Sequence, residues 1–181
     1  MPTYNYHTPS GGRSHWTGAY VDLPASPLYP FGHGLSYTTF EYSDCAVLPG
    51  EALLDQPVAI SFTVRNSGAV PGTEVAQLYA GYHPSGSVVT RPVSQLKGFA
   101  RMSLAPGQSA SVRLLLYSEA LAFYDEDLKL RLYPGKVMIM VGSSSEDLRL
   151  KASISVKIPG AIEICPAGRK VFSEAQVSII R

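Results

Sequence analysis

The sequence is poor in charged residues. Only 16% of its 181 residues are charged, below the ~25% that is usual in soluble domains. Lysine and arginine total 15 against 14 aspartate and glutamate residues, which gives a formal net charge of +1. Because the charges balance and no lysine and arginine run is present, nothing in the electrostatics favours a nucleic acid or a membrane as partner.

Long apolar segments and paired cysteine motifs are also missing. The longest apolar stretch near the C-terminus is VMIMV, from Val137 to Val141, whereas a transmembrane helix needs about 20 residues. The N-terminal stretch MPTYNYHTPSGGRSHW has no apolar core of the signal-peptide kind. Cys45 and Cys165 are not in a CxxC motif, so we expect two isolated buried thiols and no zinc site, although a disulfide stays open.

Turn-forming residues and alternating apolar residues predict an all-β fold. The chain contains 16 glycines and 14 prolines, and turn signals recur between short stretches with an apolar period of two. Val58, Ile60, Phe62 and Val64 form the clearest apolar face. This pattern predicts an immunoglobulin-like antiparallel β-sandwich of about seven strands, with a barrel as the alternative. A parallel α/β sheet is disfavoured, because no long amphipathic helix separates the strands.

Two local details follow from the same pattern. In SQLKGFARMSL we expect a short strand with Leu96 and Phe99 facing inward. SEALAFYDED is the only helix-like stretch, and it predicts about one turn with Ser118 as the N-cap.

The first part of the chain differs from the rest. Residues 1–37 are rich in aromatic residues, proline and glycine but show no apolar period. A disordered tail would carry fewer aromatic residues, so we expect an ordered, extended arm that lies on another surface. The predicted organisation is an arm over 1–37, a sandwich over 38–158 and a C-terminal extension over 159–181 that forms one added strand.

His33 is the first candidate for chemistry, since it lies between Gly32 and Gly34 in YPFGHGLSYTTF. A histidine in such a loop would serve as a general base or a ligand. However, no orienting carboxylate lies nearby in sequence, and one histidine cannot hold a metal. The favoured interpretation is a tight turn at a junction, anchored by Tyr29, Phe31 and Tyr37.

Two polar clusters have competing interpretations. Asp125, Glu126 and Asp127, with Glu119 upstream, would suit calcium, but the EF-hand glycine and later glutamate are absent, which favours a solvated turn. Arg13, His15 and Trp16 would grip a sugar, with the indole stacked on a pyranose ring. Packing against a neighbouring domain explains the same three residues equally well. No known catalytic motif is present, so the sequence predicts no catalytic residue, metal or cofactor.

Several stretches together resemble one enzyme family. YNYHTPSGGRSHW, SPLYPFGHGLSYTTFEYS, VRNSGAVPGTEVAQLYA, RPVSQLKGFARMSLAPGQSASVRL and VGSSSEDLRL are similar, in order, to the C-terminal end of glycoside hydrolase family 3 enzymes, the β-glucosidases and β-xylosidases. The arm resembles the tail of the α/β sandwich domain of that family, and residues from about 38 to 156 resemble its fibronectin type III-like domain.

The resemblance implies a role without catalysis. Family 3 enzymes are retaining hydrolases whose nucleophilic aspartate lies in a barrel domain and whose acid/base glutamate lies in the α/β sandwich domain. Neither segment is present here, so the resemblance carries no catalytic residue to this sequence. It implies an accessory domain that packs on those two domains, and a stand-alone module that binds polysaccharide or protein is the alternative. It leaves the compartment open, either cytoplasmic or exported with a parent enzyme.

Overall fold

The computed structural model describes residues 26–54, 56–82 and 93–180. The predicted sugar or interface residues Arg13, His15 and Trp16 lie outside these ranges, as does most of the predicted arm. The strands, in chain order, are β1 (Phe40–Leu48), β2 (Glu51–Ala52), β3 (Pro57–Asn66), β4 (Gly72–Tyr82), β5 (Gln95–Leu104), β6 (Ser109–Tyr117), β7 (Phe123–Tyr124), β8 (Leu130–Leu132), β9 (Gly135–Gly142), β10 (Leu148–Val156), β11 (Ile162–Glu163) and β12 (Glu174–Ile180).

Two sheets face each other across the core. One has the strand order β1-β3-β6-β12 and the other has the order β2-β10-β9-β4-β5, while β11, β8 and β7 form a small third sheet. The described strand pairs are antiparallel, apart from the parallel pair of β2 and β10. The predicted antiparallel β-sandwich is therefore confirmed, with more strands than the sequence suggested.

Alternation along the central strands builds the core. Val58, Ile60, Phe62 and Val64 of β3 are all buried, as predicted. They share the interior with every second residue of β6 and with the apolar face of β9 on the opposite sheet. Because successive strand residues point to opposite faces, this alternation gives one apolar and one polar face to each sheet.

The inward position predicted for Phe99 is wrong, since it alternates with the buried Ala100. Strand β5 also contains a bulge. Leu96 pairs with Tyr79 and Gly98 pairs with Leu78, which leaves Lys97 as one extra residue on β5. Leu96 and Phe99 therefore both lie on the face of Tyr79 and Gln77, whereas Ala100 lies on the buried core face and Phe99 is 56% exposed.

Ser118 is not an N-cap either. The helical turn is a 3-10 helix over Ser118–Leu121 whose capping position is held by Tyr117, with no side-chain hydrogen bond to the helix end. Both cysteines are free, and neither is buried: Cys45 is partly exposed and Cys165 is exposed. The prediction that both thiols are buried is therefore wrong.

The C-terminal segment ends in strand β12, which pairs with β6 at the edge of the first sheet. Val177 lies opposite Val112 and Ile179 lies opposite Ala110, so the two strands share their inward faces. The division of the chain at residues 37 and 158 stays a prediction.

Asn66, at the end of β3, holds several chain segments together. Its carboxamide oxygen accepts hydrogen bonds from Thr38 Oγ1 at 2.6 Å and from the Gly68 N–H at 3.0 Å. Its carboxamide nitrogen donates to the carbonyl oxygens of Val70 at 2.9 Å and Leu104 at 3.0 Å. Because Asn66 is fully buried, each of these bonds replaces a contact with water that the fold has removed.

Replacement of Asn66 by alanine should therefore be costly. Asn66→Ala leaves buried partners unsatisfied, and we expect the free energy of unfolding to fall by about 3 kcal/mol. Urea unfolding followed by circular dichroism would measure the loss. Ser67→Ala, at the exposed neighbouring position, is the control and should change the stability by less than about 0.5 kcal/mol. Equal stabilities for the two variants would contradict this role of Asn66.

Candidate functional site

The predicted junction contains a tight turn over residues 30–33. The N–H of His33 donates to the carbonyl oxygen of Pro30 at 3.0 Å, which closes a four-residue β-turn. Gly32, the third residue of the turn, has φ +80°, a conformation that strongly favours glycine. The turn then leads through residues 34–39 into strand β1.

Hydrogen bonds fix this turn to the second sheet. The N–H of Ser145 donates to the carbonyl oxygen of Phe31 at 2.9 Å. Gln77 of β4 donates from Nε2 to the carbonyl oxygens of Gly32, at 3.1 Å, and Ser143. Its Oε1 accepts a hydrogen bond from the hydroxyl of Tyr79 at 2.6 Å. Gln77 is buried, so its carboxamide joins the turn to the sandwich through hydrogen bonds that are shielded from water.

Of the two glycines beside His33, only Gly32 is required by sterics. A Cβ at Gly32 would overlap the carboxamide of Gln77, whereas a Cβ at Gly34 would meet nothing within 4 Å. The predicted glycine pair is therefore one constrained residue and one unconstrained residue.

His33 has the surroundings of a surface residue. Its ring lies 5.4 Å from the ring of Tyr29, measured between centroids, and its side chain is exposed. Among the described residues, no carboxylate forms a hydrogen bond or an ion pair with the imidazole. An acid or base that lacks an orienting partner is poorly placed for catalysis, which favours the junction interpretation.

Exposed apolar side chains cover the outside of the junction. Tyr29 and Phe31 are 70% and 61% exposed, while Leu35 and Tyr37 are 93% and 102% exposed. Leu28 belongs to the same group. A group of exposed apolar side chains on one short segment marks a site of contact with another surface. We call Leu28, Tyr29, Phe31, Leu35 and Tyr37 the junction patch.

A polar cleft of about 610 Å³ lies beside the junction patch, between the turn and the end of the sandwich. Arg149 lines this cleft and donates a hydrogen bond to the carbonyl oxygen of Phe40 at 2.6 Å. The same guanidinium binds Asp147, at 2.6 Å from Nη2 to Oδ2, and lies 4.9 Å from the centre of the Tyr42 ring. The hydroxyl of Tyr42 donates to Glu74 at 2.6 Å.

These contacts set the charge of the cleft. Hydrogen bonds from Arg149 and Ser143 hold the pKa of Asp147 below its usual range. Burial, and secondarily the hydrogen bond to Glu74, raises the pKa of Tyr42. Tyr42 is therefore a neutral donor and Asp147 an anion at neutral pH. Since Arg149 pairs with Asp147 and Tyr42 binds Glu74, these side chains form a structural network at the junction.

The acidic cluster does not converge on a cation site. Asp125 accepts hydrogen bonds from the N–H groups of Asp127 and Lys129, both at 3.0 Å. It also pairs with Arg131 at 2.6 Å, while Glu119 accepts instead from the N–H of Lys170 at 3.4 Å. Within the described residues, no group of three or more His, Cys, Asp or Glu side chains is arranged to hold a metal.

The comparisons with known proteins agree with this geometry. Residues 74–145 match the family of fibronectin type III-like domains. Probable β-glucosidase K of Emericella nidulans is 40% identical over 86% of this chain and 19% of its own length. A putative β-xylosidase of Formosa agariphila is 40% identical over 76% of this chain and 18% of its own length. Among solved structures, the β-glucosidase of Listeria innocua in complex with glucose is 34% identical, with a TM-score of 0.71 over 83% of this chain and 20% of that chain.

The chain carries a fibronectin type III-like domain of the glycoside hydrolase family 3 type. It spans about a fifth of the length of the curated relatives that it matches. The resemblance inferred from the sequence motifs is therefore confirmed. One relative is a periplasmic β-glucosidase of Salmonella typhimurium. No helix in the described part of the chain is long and apolar enough to span a membrane.

Sequence reasoning missed Gln77 as a site residue of this fibronectin type III-like domain. The sequence pattern predicted the strand that contains Gln77, with both of its faces fairly apolar. A glutamine between Val75 and Tyr79 was the available signal, since a polar residue in a largely apolar strand needs a hydrogen-bond partner when buried. The partner's identity depends on which loop covers that face, which the strand itself does not contain.

The two glycines provide a matched test of the docked turn. Gly32→Ala would place a side chain against Gln77 at a φ that costs about 1–2 kcal/mol for other residues, so we expect the turn to detach more often. Hydrogen exchange at the Ser145 amide, which binds Phe31, should become about tenfold faster or more, as this energy implies. Gly34→Ala should leave the rate unchanged. Equal protection in both variants would contradict the docked turn.

Proposed function

We propose that this chain is the non-catalytic accessory domain of a family 3 β-glycosidase that hydrolyses β-glucosides or β-xylosides. In this role it packs on the barrel and α/β sandwich domains of the enzyme and stabilises them. The β-glucosidase and β-xylosidase names of the relatives support the substrate class. No nucleic acid, membrane or cofactor enters the proposal, and a weak carbohydrate contact remains open to test.

The observation that carries the proposal is the junction patch on a docked turn. Its apolar side chains are exposed, yet the backbone that bears them is hydrogen-bonded to Gln77 and Ser145. A fixed apolar surface loses little conformational entropy when another domain covers it. The patch also lies within the predicted arm over 1–37, which resembles the tail of the α/β sandwich domain.

The proposal assigns roles to the remaining predicted residues. Tyr29, Phe31, Gly32, His33, Gly34 and Tyr37 form the interdomain junction. Arg13, His15 and Trp16 contact the neighbouring domain or a sugar at its rim. The catalytic aspartate and glutamate belong to the other domains, so no residue of this chain takes part in bond cleavage.

Binding to a catalytic fragment tests the role of the patch. The chain should co-purify with a separately expressed fragment that contains the barrel and α/β sandwich domains of a family 3 relative. Leu35→Asp places a charge in the patch and should weaken this association about tenfold or more, since burying an unpaired carboxylate costs well over 1.4 kcal/mol. Leu128→Asp, at another highly exposed leucine (82%) far along the chain, should have no effect. Association that both variants retain would refute the patch as the contact surface.

Assays of hydrolysis and of sugar binding by the chain alone distinguish the accessory role from the other hypotheses. The purified chain should release no p-nitrophenol from aryl β-glucosides or β-xylosides, because it lacks the catalytic pair. Clear turnover by the pure chain would overturn the proposal.

Affinity electrophoresis in xylan or glucan gels tests the alternative of a stand-alone binding module. Unchanged mobility is the expected result for an accessory domain. Retardation that disappears in Trp16→Ala would instead support carbohydrate binding by the chain itself.

A further inference from the structure

Strand β12 forms an open edge of the first sheet. It pairs with β6 on one side, and none of the described strands pairs with its other side. The segment just before it is fixed to β5, since the N–H of Ser173 donates to the carbonyl oxygen of Lys97 at 2.6 Å. From Glu174 to Ile180, the N–H and C=O groups that point away from β6 are therefore available to a further strand.

The side chains of this edge are exposed as well. Among the described strands, β12 is the only one in which all residues are exposed. Val177 and Ile179 lie opposite Val112 and Ala110 of β6, which are fully buried, yet they are themselves 37% and 44% exposed. The second sheet thus covers the inner face of β6 and leaves that of β12 partly uncovered, as expected of a strand that lacks a neighbour.

The other edges of the two large sheets carry features that hinder the addition of a strand. Strand β1 has an irregularity between Ser43 and Ala46, with Asp44 at φ +56°. Strand β2 has two residues, and β5 has the bulge at Lys97. Strand β12 has seven residues in unbroken register and contains no lysine, proline or glycine. It is therefore the edge on which a further strand pairs most readily.

The apolar residues of β12 match a second copy of the same strand. In an antiparallel pair centred on Val177, this residue lies opposite Val177 of the second copy, and Ala175 lies opposite Ile179. Because directly opposite residues share one face of a sheet, the six side chains form a single apolar stripe across the two strands.

The charges of the strand also suit a second copy. Glu174 is the one charged residue between Glu174 and Ile180. In the register centred on Val177 it lies opposite Ile180, at the far end from Glu174 of the second copy, so no like charges meet. It is also paired within its own chain, since Lys170 Nζ lies 2.6 Å from its carboxylate.

We propose that β12 is a self-association surface, on which a second copy of this chain adds its own β12 in antiparallel orientation. The pair joins the two four-stranded sheets into one continuous sheet. A strand of seven residues is about 23 Å long. Contact along it covers less than the ~800 Å² per partner of a standard interface, so we expect a reversible dimer with a dissociation constant on the order of 10 μM or above.

This surface is separate from the junction patch. The junction leads into β1, and β1 and β12 are the two opposite edges of the same sheet. The chain can therefore pack on other domains through the junction while β12 pairs with a second copy. The inference does not rest on the accessory role proposed above.

Sedimentation equilibrium and amide hydrogen exchange of the full chain test the dimer. The average mass should rise with chain concentration towards that of two chains. Over the same range, the amides of Glu174–Ile180 that point away from β6 should become more protected, whereas those bonded to β6 are protected throughout. A chain that stays monomeric at every concentration would overturn the proposal.

Opposite charges at the centre of the pair identify both the partner and the register. Val177→Glu and Val177→Lys each place like charges opposite one another, so each should raise the dissociation constant about tenfold or more. An equimolar mixture of the two variants should associate again, because glutamate then lies opposite lysine. Val75→Glu, at a valine of the same 37% exposure on β4, should dimerise as the unmodified chain does.

Two further outcomes decide against a second copy. Dimers that persist in both Val177 variants would place the contact elsewhere. Association of a monomeric chain with a fragment of the barrel and α/β sandwich domains, if Val177→Glu abolishes it, would assign this edge to that fragment instead. Should the single variants lose strand β12, the exchange pattern of the unmodified chain decides the matter.

Discussion

Burial of the alternating faces of β3, β6 and β9 is the constraint on which the rest of this domain depends. Once these faces meet, every polar group at the ends of the strands must find a partner inside the protein. Asn66 meets this demand at one end of β3, where its side chain makes four hydrogen bonds. Gln77 meets it on the outer face of β4, where the partner is the N-terminal turn. The hydrogen bonds of Asn66 and Gln77 are therefore a consequence of burying the apolar core.

This arrangement explains how a small sandwich presents a junction. The turn over residues 30–33 is fixed to the sheet through main-chain groups, so its side chains are free to point outward. The junction patch therefore combines an ordered backbone with exposed apolar side chains. The chain spans about a fifth of the length of its relatives, and in the proposed function this surface is where the barrel and α/β sandwich domains pack.

A network of charged and polar side chains holds the cleft beside the junction. Arg149 pairs with Asp147 and donates to the carbonyl oxygen of Phe40, and the hydroxyl of Tyr42 donates to Glu74. These contacts join β1, β4 and β10 at the end of the sandwich where the N-terminal turn is attached.

The sequence by itself determined the fold class, the family and the inward face of β3, because these depend on local alternation and on long motifs. It also predicts a junction from its glycines and aromatic residues. Only the tertiary structure decided that Leu96 and Phe99 share the face opposite the core, since a one-residue bulge shifts the alternation without changing composition. It likewise decided the role of Gln77, because a buried polar side chain takes its partners from the segment that covers it. That segment is distant in the chain, and local sequence patterns do not record which segments meet.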